Sequence, residues 1–382
     1  MAKLSIALLK SFVSSYVADQ KISVDNFSVT KDNSVGLLDT LGKIYTNWQN
    51  YQDKLSIFDG EDLSFGKTIE EWAQDLIMPK TFDATGATAM APHDSTYRPA
   101  SFSFTLGKRT IPQTIRNNDL ERAVHDIAQF SDLIAGKTKA LYDSETMFRY
   151  AIKRQALGVL ITRCVAQQDP QSPDVTLATE GASISGAHAV NEIFKVTATS
   201  KSYILVKPIP SGAGLTGTTA ISGGYLIENQ LVEEVDYPVD STTGEDFINK
   251  VLDDVEIAED FSEGHSLNGN TLGGNPEAGL VLVVLQGVKP VLKVKTLAGA
   301  FNKDELAIPA EMKSVPDFGD VSKDYFAVLL DARAIRLHNT YRAVRNNENG
   351  EGDFLNYFYH TENTAHVSRN VFVKVYKKKA SA

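Results

Sequence analysis

The sequence contains almost no cysteine: Cys164 is the only one in 382 residues. A single cysteine cannot form an intramolecular disulfide, so the fold is not a disulfide framework. Cys164 also lies on the apolar side of a helical pattern, which favours a buried thiol over a reactive nucleophile. Cysteine usage therefore indicates a protein that matures in a reducing compartment.

Long hydrophobic runs are also missing at the N-terminus. Between Lys3 and Lys10 the longest apolar stretch is residues 6–9. A signal peptide needs a longer run, and a membrane-spanning helix needs about 20 apolar residues. We therefore expect no targeting segment and no membrane partner, and we interpret the helical spacing of this region as an amphipathic arm.

Recognisable catalytic and metal-binding motifs are lacking. The seven histidines are scattered, and only His360 and His366 lie close together in the sequence, without the spacing of a zinc site. No Gly-x-Ser-x-Gly motif is present to suggest an acyl-transfer nucleophile. The sequence predicts no catalytic residues, no metal and no enzymatic activity.

One glycine-rich stretch resembles a dinucleotide fingerprint. Residues 212–217 read GAGLTG and follow a predicted strand at 203–206. That fingerprint requires a helix N-terminus directed at the pyrophosphate. Here paired glycines, Gly223 and Gly224, stand where the helix is required, so we predict a flexible surface loop and no cofactor. A dinucleotide-binding enzyme using this loop remains the alternative from another functional class.

Negative charge is concentrated in one segment. The whole chain has a net charge of −10, while residues 226–263 carry thirteen acidic side chains against the single base Lys250. This segment alone is −12, so the remaining residues sum to +2. Such a segment is unsuited to lie on nucleic acid, whereas the rest of the chain is free to do so.

An extended, two-stranded ribbon is the most unusual predicted feature. Prolines and small polar residues punctuate 79–100, strand-like segments flank it at 72–78 and 101–105, and Pro112 is expected to end it. An isolated hairpin is marginally stable in water, so we expect it to pack on another subunit. The residues expected at that contact are Trp72, Lys80, Arg98, Phe102, Phe104, Lys108 and Arg109.

Helical spacing follows the ribbon, from about residue 118 to 165, and its longer part follows Gly136. Thirty residues of helix would span roughly 45 Å, long enough to cross a domain. One face of this predicted spine helix is basic. It is either a solvated face or a surface facing DNA, and its candidate residues are Lys137, Lys139, Arg149, Lys153 and Arg154.

Beyond a boundary at 169–173, strands and helices are grouped instead of regularly alternating, which predicts an α+β architecture. The acidic segment contains a helix expected to be capped by Thr243. Continuous apolar runs at Leu280–Leu285 and 325–330 predict buried strands. The chain is expected to close with two strands, 354–359 and 371–376, separated by a polar turn.

Four stretches carry a resemblance to a known family. Residues 60–71 read GEDLSFGKTIEE ahead of the ribbon, and 108–115 read KRTIPQTI ahead of the NDLERA of 118–123. Later, LAGAFN at 297–302 precedes VPDF at 315–318, and AVLLDAR occupies 327–333. In these stretches the chain resembles tailed-phage major capsid proteins with the Hong Kong phage fold. The match is closest to the short-tailed and crAss-like branches.

The resemblance implies a non-enzymatic head protein of a double-stranded DNA phage, which self-assembles into pentamers and hexamers of an icosahedral shell. It implies location in the virion, assembly in the host cytoplasm, and partners that include packaged DNA, a portal, and scaffolding or decoration proteins. An encapsulin-type cellular compartment is a nearer alternative. The implied organisation is an N-terminal arm (1–67), an extended loop (68–116), a spine helix with part of a peripheral domain (117–174), an axial domain (175–325) and the rest of the peripheral domain (326–382).

Overall fold

The structure is a computed structural model, and it describes residues 51–63, 69–74, 76, 82, 97–100, 103–116, 127–275, 279–292 and 310–379. Residues 1–50 and 64–67 of the expected N-terminal arm lie outside these ranges. So do Lys80 and Phe102. The helices are α1 (Ile127–Gln168), α2 (Gly217–Ser222) and α3 (Ser241–Glu259). The strands are β1 (Glu71–Gln74), β2 (Tyr97–Ala100), β3 (Ser103–Arg116), β4 (Val175–Leu177), β5 (Ile193–Val196), β6 (Lys201–Leu205), β7 (Leu226–Glu228), β8 (Val232–Val235), β9 (Leu280–Leu285), β10 (Glu311–Val315), β11 (Tyr325–Asp331), β12 (Ile335–Asn349), β13 (Phe354–Val367) and β14 (Val373–Lys378).

The chain divides into two compact units. The first comprises Met1–Ser56, Leu106–Ile152 and Asn339–Asn363. The second comprises Ile57–Thr105, Lys153–His338 and Thr364–Ala382. Helices and strands occur together in both, so the expected α+β class is confirmed.

Helix α1 is continuous over 42 residues, about 63 Å at 1.5 Å per residue. It passes through Gly136 without interruption. A glycine inside a helix costs only about 1 kcal/mol relative to alanine, which neighbouring helix formers and packing outweigh. The buried side chains of α1 recur every three to four residues, and include Leu141, Phe148, Ile152, Leu157, Leu160, Ile161 and Cys164.

A three-stranded sheet has the order β12-β13-β3. Strand β3 continues through Pro112 to Arg116, so the prediction that Pro112 ends the extended segment is wrong. Because β3 is an edge strand of this sheet, the missing N–H of a proline can be tolerated there. Proline by itself was therefore an unreliable stop signal.

A five-stranded sheet in the second unit has the order β10-β9-β11-β14-β8. All six residues of β9 are buried, and β11 lies in the centre of the sheet with six of its seven residues buried. The two continuous apolar runs thus form the buried strands that the sequence predicts. They supply much of the apolar core of this unit.

The end of the chain differs from the prediction. The expected polar turn after residue 359 is strand, because β13 continues to Val367. Strand β14 does not pair with β13 but joins the five-stranded sheet between β11 and β8. The polar residues of the expected turn, among them Thr361 and Asn363, are buried, and partners elsewhere in the fold satisfy Thr361. Local polarity alone could not reveal such partners.

Helix α3 lies within the acidic segment, residues 226–263, and we call it the acidic helix. Its N-cap is Asp240, whose carboxylate accepts from the backbone N–H of Thr243 while the Thr243 hydroxyl accepts from the N–H of Asp240. This reciprocal capping box replaces the expected cap at Thr243, which instead lies inside the first turn. The apolar stripe of α3 is buried at Phe247, Ile248, Val251 and Val255, and partly exposed at Leu252.

A smaller four-stranded sheet, β4-β5-β6-β7, has its own apolar cluster that includes Phe194, Tyr203 and Leu205. The glycine-rich loop leads into α2, where the sequence predicted no helix. Thr216 and Thr219 form a capping box that starts this short helix in spite of the glycines around it. Among the described residues, no helix is both long and apolar enough to cross a membrane.

Candidate assembly surfaces

Strands β1 and β2 pair in antiparallel fashion, with Glu71 opposite Ala100 and Trp72 opposite Pro99. We call this pair, together with residues 75–96 that join its two strands in the sequence, the ribbon. Trp72 leaves 63% of its surface exposed, and Leu76 and Phe82 in the stretch that follows β1 are 77% and 89% exposed. Three large apolar side chains in one short stretch of chain are thus mostly exposed.

The root of the ribbon is held by polar contacts within the second unit. Both carboxylate oxygens of Glu71 accept from the Ser368 hydroxyl, each at 2.8 Å. The Ser103 hydroxyl accepts from the N–H of Ile69 at 3.2 Å, and the hydroxyls of Thr105 and Thr364 lie 3.3 Å apart. None of these residues was expected from the sequence to be a functional residue.

The other residues expected at a subunit contact have different environments. Phe104 is partly buried in β3, and Arg98 lies in β2. Lys108 is exposed, with its Nζ 4.4 Å from the centre of the Tyr341 ring, a cation–π contact. Lys108 thus combines exposure with a fixed position on the sheet.

Arg109 is buried, which contradicts its expected role as a contact between subunits. Its Nη2 atom lies 3.3 Å from both carboxylate oxygens of Glu145 on α1 and donates to the Thr361 hydroxyl at 3.1 Å. The guanidinium carbon stands 3.5 Å from the centre of the Phe148 ring. Strand β3, helix α1 and strand β13 are therefore joined inside the first unit through one buried charge pair.

Two of the five basic residues expected to face DNA are enclosed by their own chain. Lys153 is fully buried, with its Nζ 2.5 Å from an oxygen of Asp59. Arg154 is 3% exposed and pairs with Asp317. Their burial contradicts the expectation for these two residues, because a charge closed off by its own fold cannot contact a phosphate backbone. The helical spacing of basic residues does not by itself distinguish an exposed cation from a cation in a buried ion pair.

The other three of these five basic residues are partly exposed. Lys139 forms an ion pair with Asp143 one turn away at 2.9 Å, and Lys137 reaches the carbonyl of Thr114 at 3.5 Å. Arg149 donates to the side-chain oxygen of Asn339. All three lie in the first unit, and each keeps part of its side chain accessible.

The acidic helix is joined to the five-stranded sheet by a charged network. Lys374 of β14 lies 3.0 Å from a carboxylate oxygen of Glu233 on β8, and Tyr376 donates to Asp254 of α3 at 2.8 Å. Burial raises the pKa of Asp254, although Lys374 and Tyr376 oppose the shift. Burial also opposes ionisation of Glu233, but Lys374 and Lys250 outweigh it and lower the pKa of that carboxyl.

Burial shifts the pKa values of two groups beside the apolar cores. Burial raises the pKa of the Cys164 thiol to about 12, so the predicted buried thiol is confirmed. Burial lowers the pKa of His265 to about 4, with Lys374 adding to the shift, and its ring stacks on Phe372 at 5.0 Å. Within the described ranges, no group of three His, Cys, Asp or Glu side chains is placed to hold a metal ion.

The glycine-rich loop does not build a cofactor site. Gly212 and Gly214 adopt positive φ angles of 80° and 65°, and neither has any atom within 4 Å of the position of an added Cβ. The helix that follows is only six residues long, too short to present the dipole that the fingerprint requires.

The fold places the chain among known proteins. It resembles the capsid structure of Staphylococcus phage Andhra, with a TM-score of 0.56 at 9% identity over 95% of this chain and 91% of that chain. A chain in the structure of the head fiber and inner core protein gp22 of bacteriophage P68 gives 0.53 at 11% identity, over 99% and 100% of the two chains. The capsid structure of cyanophage P-SCSP1u gives 0.50 at 9% identity, over 94% and 100%. Comparison with curated protein sequences finds no significant match.

The fold is thus that of tailed-phage capsid proteins. The family model described as "Phi29-like phage major capsid protein" matches residues 17–373, and the chain belongs to this family. It is a major capsid protein of a tailed phage, a structural component of the virion and not an enzyme. Neither the dinucleotide-enzyme nor the encapsulin alternative is supported, and the closeness to crAss-like phages stays a prediction.

Proposed function

We propose that copies of this chain form the pentamers and hexamers of an icosahedral shell, and that the ribbon of each copy lies across a neighbour. One observation carries this proposal: Trp72, Leu76 and Phe82 are 63%, 77% and 89% exposed. Burying one large apolar side chain contributes about 1.5–3 kcal/mol. Such contacts repeat around each closed ring, so a modest gain in each copy stabilises the whole assembly.

The test compares the concentration at which shells form for the wild-type chain and for Trp72→Ala combined with Phe82→Ala. Phe261→Ala is the matched control, because Phe261 is a large aromatic side chain, 77% exposed and outside the ribbon. We expect the ribbon variant to keep its thermal unfolding midpoint and to need at least about tenfold more protein for assembly. The control should assemble like wild type. Unchanged assembly of the ribbon variant would overturn the proposal.

We further propose that the shell encloses double-stranded DNA, bound without sequence specificity through Lys137, Lys139 and Arg149. These cations keep accessible surface in the described part of α1, whereas Lys153 and Arg154 are buried. Phosphate contacts bind DNA without reading its bases. The segment of net charge −12, residues 226–263, would lie away from the genome because like charges repel.

Salt dependence tests the DNA proposal. Each phosphate contact contributes about 0.9 to the slope of log affinity against log salt concentration. Lys137→Gln with Lys139→Gln should therefore reduce that slope by about two for DNA binding by the purified protein. Lys323→Gln is the control, because Lys323 is exposed and lies outside α1. An identical slope in the α1 variant and wild type would contradict the assignment.

For the organisation of the shell, we propose that the first unit belongs to the peripheral domain and that the two larger sheets of the second unit belong to the axial domain. The grouping of β8 to β11 with β14 in one sheet supports moving β11 and β14 out of the expected peripheral region 326–382. Portal and scaffolding or decoration proteins are the further partners we propose. Assembly of the chain alone, and then with each candidate added, tests whether shell size and closure depend on them.

A further inference from the structure

The ribbon belongs to the second unit, and the Glu71 carboxylate attaches its root to the rest of that unit. Glu71 is the first residue of β1, and its two carboxylate oxygens both lie 2.8 Å from the Ser368 hydroxyl. The backbone N–H of Arg369 also points at this carboxylate, at 3.4 Å. Hydrogen bonds to a charged acceptor are about twice as strong as neutral ones.

The partner side of this contact is rigid. Ser368 is 1% exposed, its N–H donates to the carbonyl of Ala334 at 2.8 Å, and its hydroxyl accepts from the N–H of Asn370 at 3.2 Å. It lies in the short connection between β13 and β14, both of which are paired in sheets. The hydroxyl therefore has a fixed position from which to hold the carboxylate.

Among the described residues, the basic groups near the Glu71 carboxylate do not approach it closely. The nearest ring nitrogen of His366 lies 3.9 Å from a Glu71 oxygen, and His366 is buried with its pKa lowered by burial. Arg333 lies within electrostatic range of Glu71, although its own hydrogen bonds go to Asp331. The hydroxyl and the N–H of the connection are thus the close donors to this carboxylate among the described residues.

We propose that Glu71 and Ser368 form a clamp that sets the direction in which the ribbon leaves its own chain, and so determines which surface of the neighbouring copy the ribbon can reach. Glu71 is a positioning residue: it acts on assembly through the ribbon and need not touch another copy. The proposal rests on the function proposed for the ribbon. It adds that the geometry of the shell depends on a contact within one chain.

The position of the clamp explains why one contact can matter. Each strand of the ribbon has only four residues, and two paired strands without a core are marginally stable in water. Ala100 pairs with Glu71 in the register, and β3 begins three residues after Ala100. A rotation at this root therefore changes the direction of both paired strands and of the exposed Trp72 side chain.

The test is hydrogen exchange of the full chain, followed by electron microscopy of its assembly products. Glu71→Ala and Ser368→Ala should each speed amide exchange in 69–74 and 97–100 by about tenfold, with unchanged global unfolding. The double variant should show no further increase, because either substitution alone removes the same contact. Shells of the variants should be irregular or open. Glu70→Ala is the matched control, since Glu70 is the adjacent exposed carboxylate, and it should match wild type in both measurements.

The outcomes separate this inference from the function on which it rests. The clamp is overturned if the wild-type chain forms shells and Glu71→Ala also forms regular shells with unchanged amide exchange in the ribbon. The proposed contact between the ribbon and a neighbouring copy would then still stand. Additive effects of the two substitutions would also overturn it, because they would then act through different contacts. If the Trp72 and Phe82 substitutions leave assembly unchanged, the ribbon contact itself fails.

Discussion

Arg109 and Glu145 form a buried ion pair between an edge strand and the long helix, with the Arg109 Nη2 atom 3.3 Å from the Glu145 carboxylate. Both side chains are 5% exposed or less. The Thr361 hydroxyl binds the same carboxylate at 3.2 Å, so three separate segments of sequence meet at one acidic side chain. This pair is the polar centre of the first unit.

We expect Glu145→Ala to lower the free energy of unfolding by about 3–5 kcal/mol, because it leaves the Arg109 guanidinium buried without its counter-charge. Urea titration of the unassembled protein measures this change. Asp143→Ala is the matched control: Asp143 lies in the same helix and pairs with the partly exposed Lys139, so its removal should cost less than about 1 kcal/mol. Equal effects of the two substitutions would show that the buried pair is not a stabilising centre.

Acid should destabilise the second unit through His265. Burial holds the pKa of this histidine at about 4 in the folded chain, against an ordinary value of 6.5. As the pH falls below 6.5, the unfolded chain binds a proton that the folded chain does not accept until about pH 4. The contribution is therefore complete above pH 6.5 and is lost between these two values, by roughly 3 kcal/mol.

Replacement of His265 by phenylalanine isolates this contribution. Phenylalanine keeps the aromatic stacking on Phe372 but cannot be protonated. The free energy of unfolding is measured from pH 7.5 to 4.5, about the range in which the unfolded chain binds the extra proton. As the pH falls, it should decrease less steeply in His265→Phe than in wild type. Burial also lowers the pKa of His366, so part of the slope should remain in the variant. Identical slopes in the two proteins would refute the role of His265.

Gly158 is required by a close approach in α1. A Cβ at this position would stand 2.4 Å from the backbone oxygen of Phe318, an atom that cannot move as a flexible side chain can. Substitution of a helical glycine by alanine normally stabilises by about 1 kcal/mol. We expect Gly158→Ala instead to destabilise by about 1–3 kcal/mol through overpacking. Gly350→Ala is the control, because nothing lies within 4 Å of its added Cβ.

Thermal unfolding of these two glycine variants decides the matter. A clear loss in Gly158→Ala and a change within about 0.5 kcal/mol in Gly350→Ala is the expected pair of results. A gain in stability for Gly158→Ala would mean that the helix and the segment around Phe318 are not packed as closely as the structure indicates.

The sequence predicted those parts of the fold that depend on local pattern. Continuous apolar runs predicted β9 and β11 because a strand with both faces buried has no alternative to apolar residues. Helical spacing predicted most of α1, because apolar side chains three to four residues apart lie on one buried face of a helix. The four family-like stretches predicted the capsid class, which the family match confirms.

Features that depend on distant partners could not be predicted in this way. Lys153 and Arg154 look like surface cations until Asp59 and Asp317 are brought to them by folding. Pro112 looked like a stop until β3 was found at a sheet edge. One available signal was overlooked: Glu145 falls between Leu141 and Phe148 on the apolar face of the helix, where a lone carboxylate implies a buried partner.

Electron microscopy of the purified protein after size-exclusion chromatography tests most directly whether copies of this chain make the contacts that build a shell. We expect closed round shells, rings of five or six copies, or flat sheets of hexamers, since every contact repeats by symmetry. Flat sheets would show that the hexamer contacts form before closure. A protein that stays monomeric or dimeric at all concentrations, alone and with its phage's scaffolding protein, would contradict this expectation.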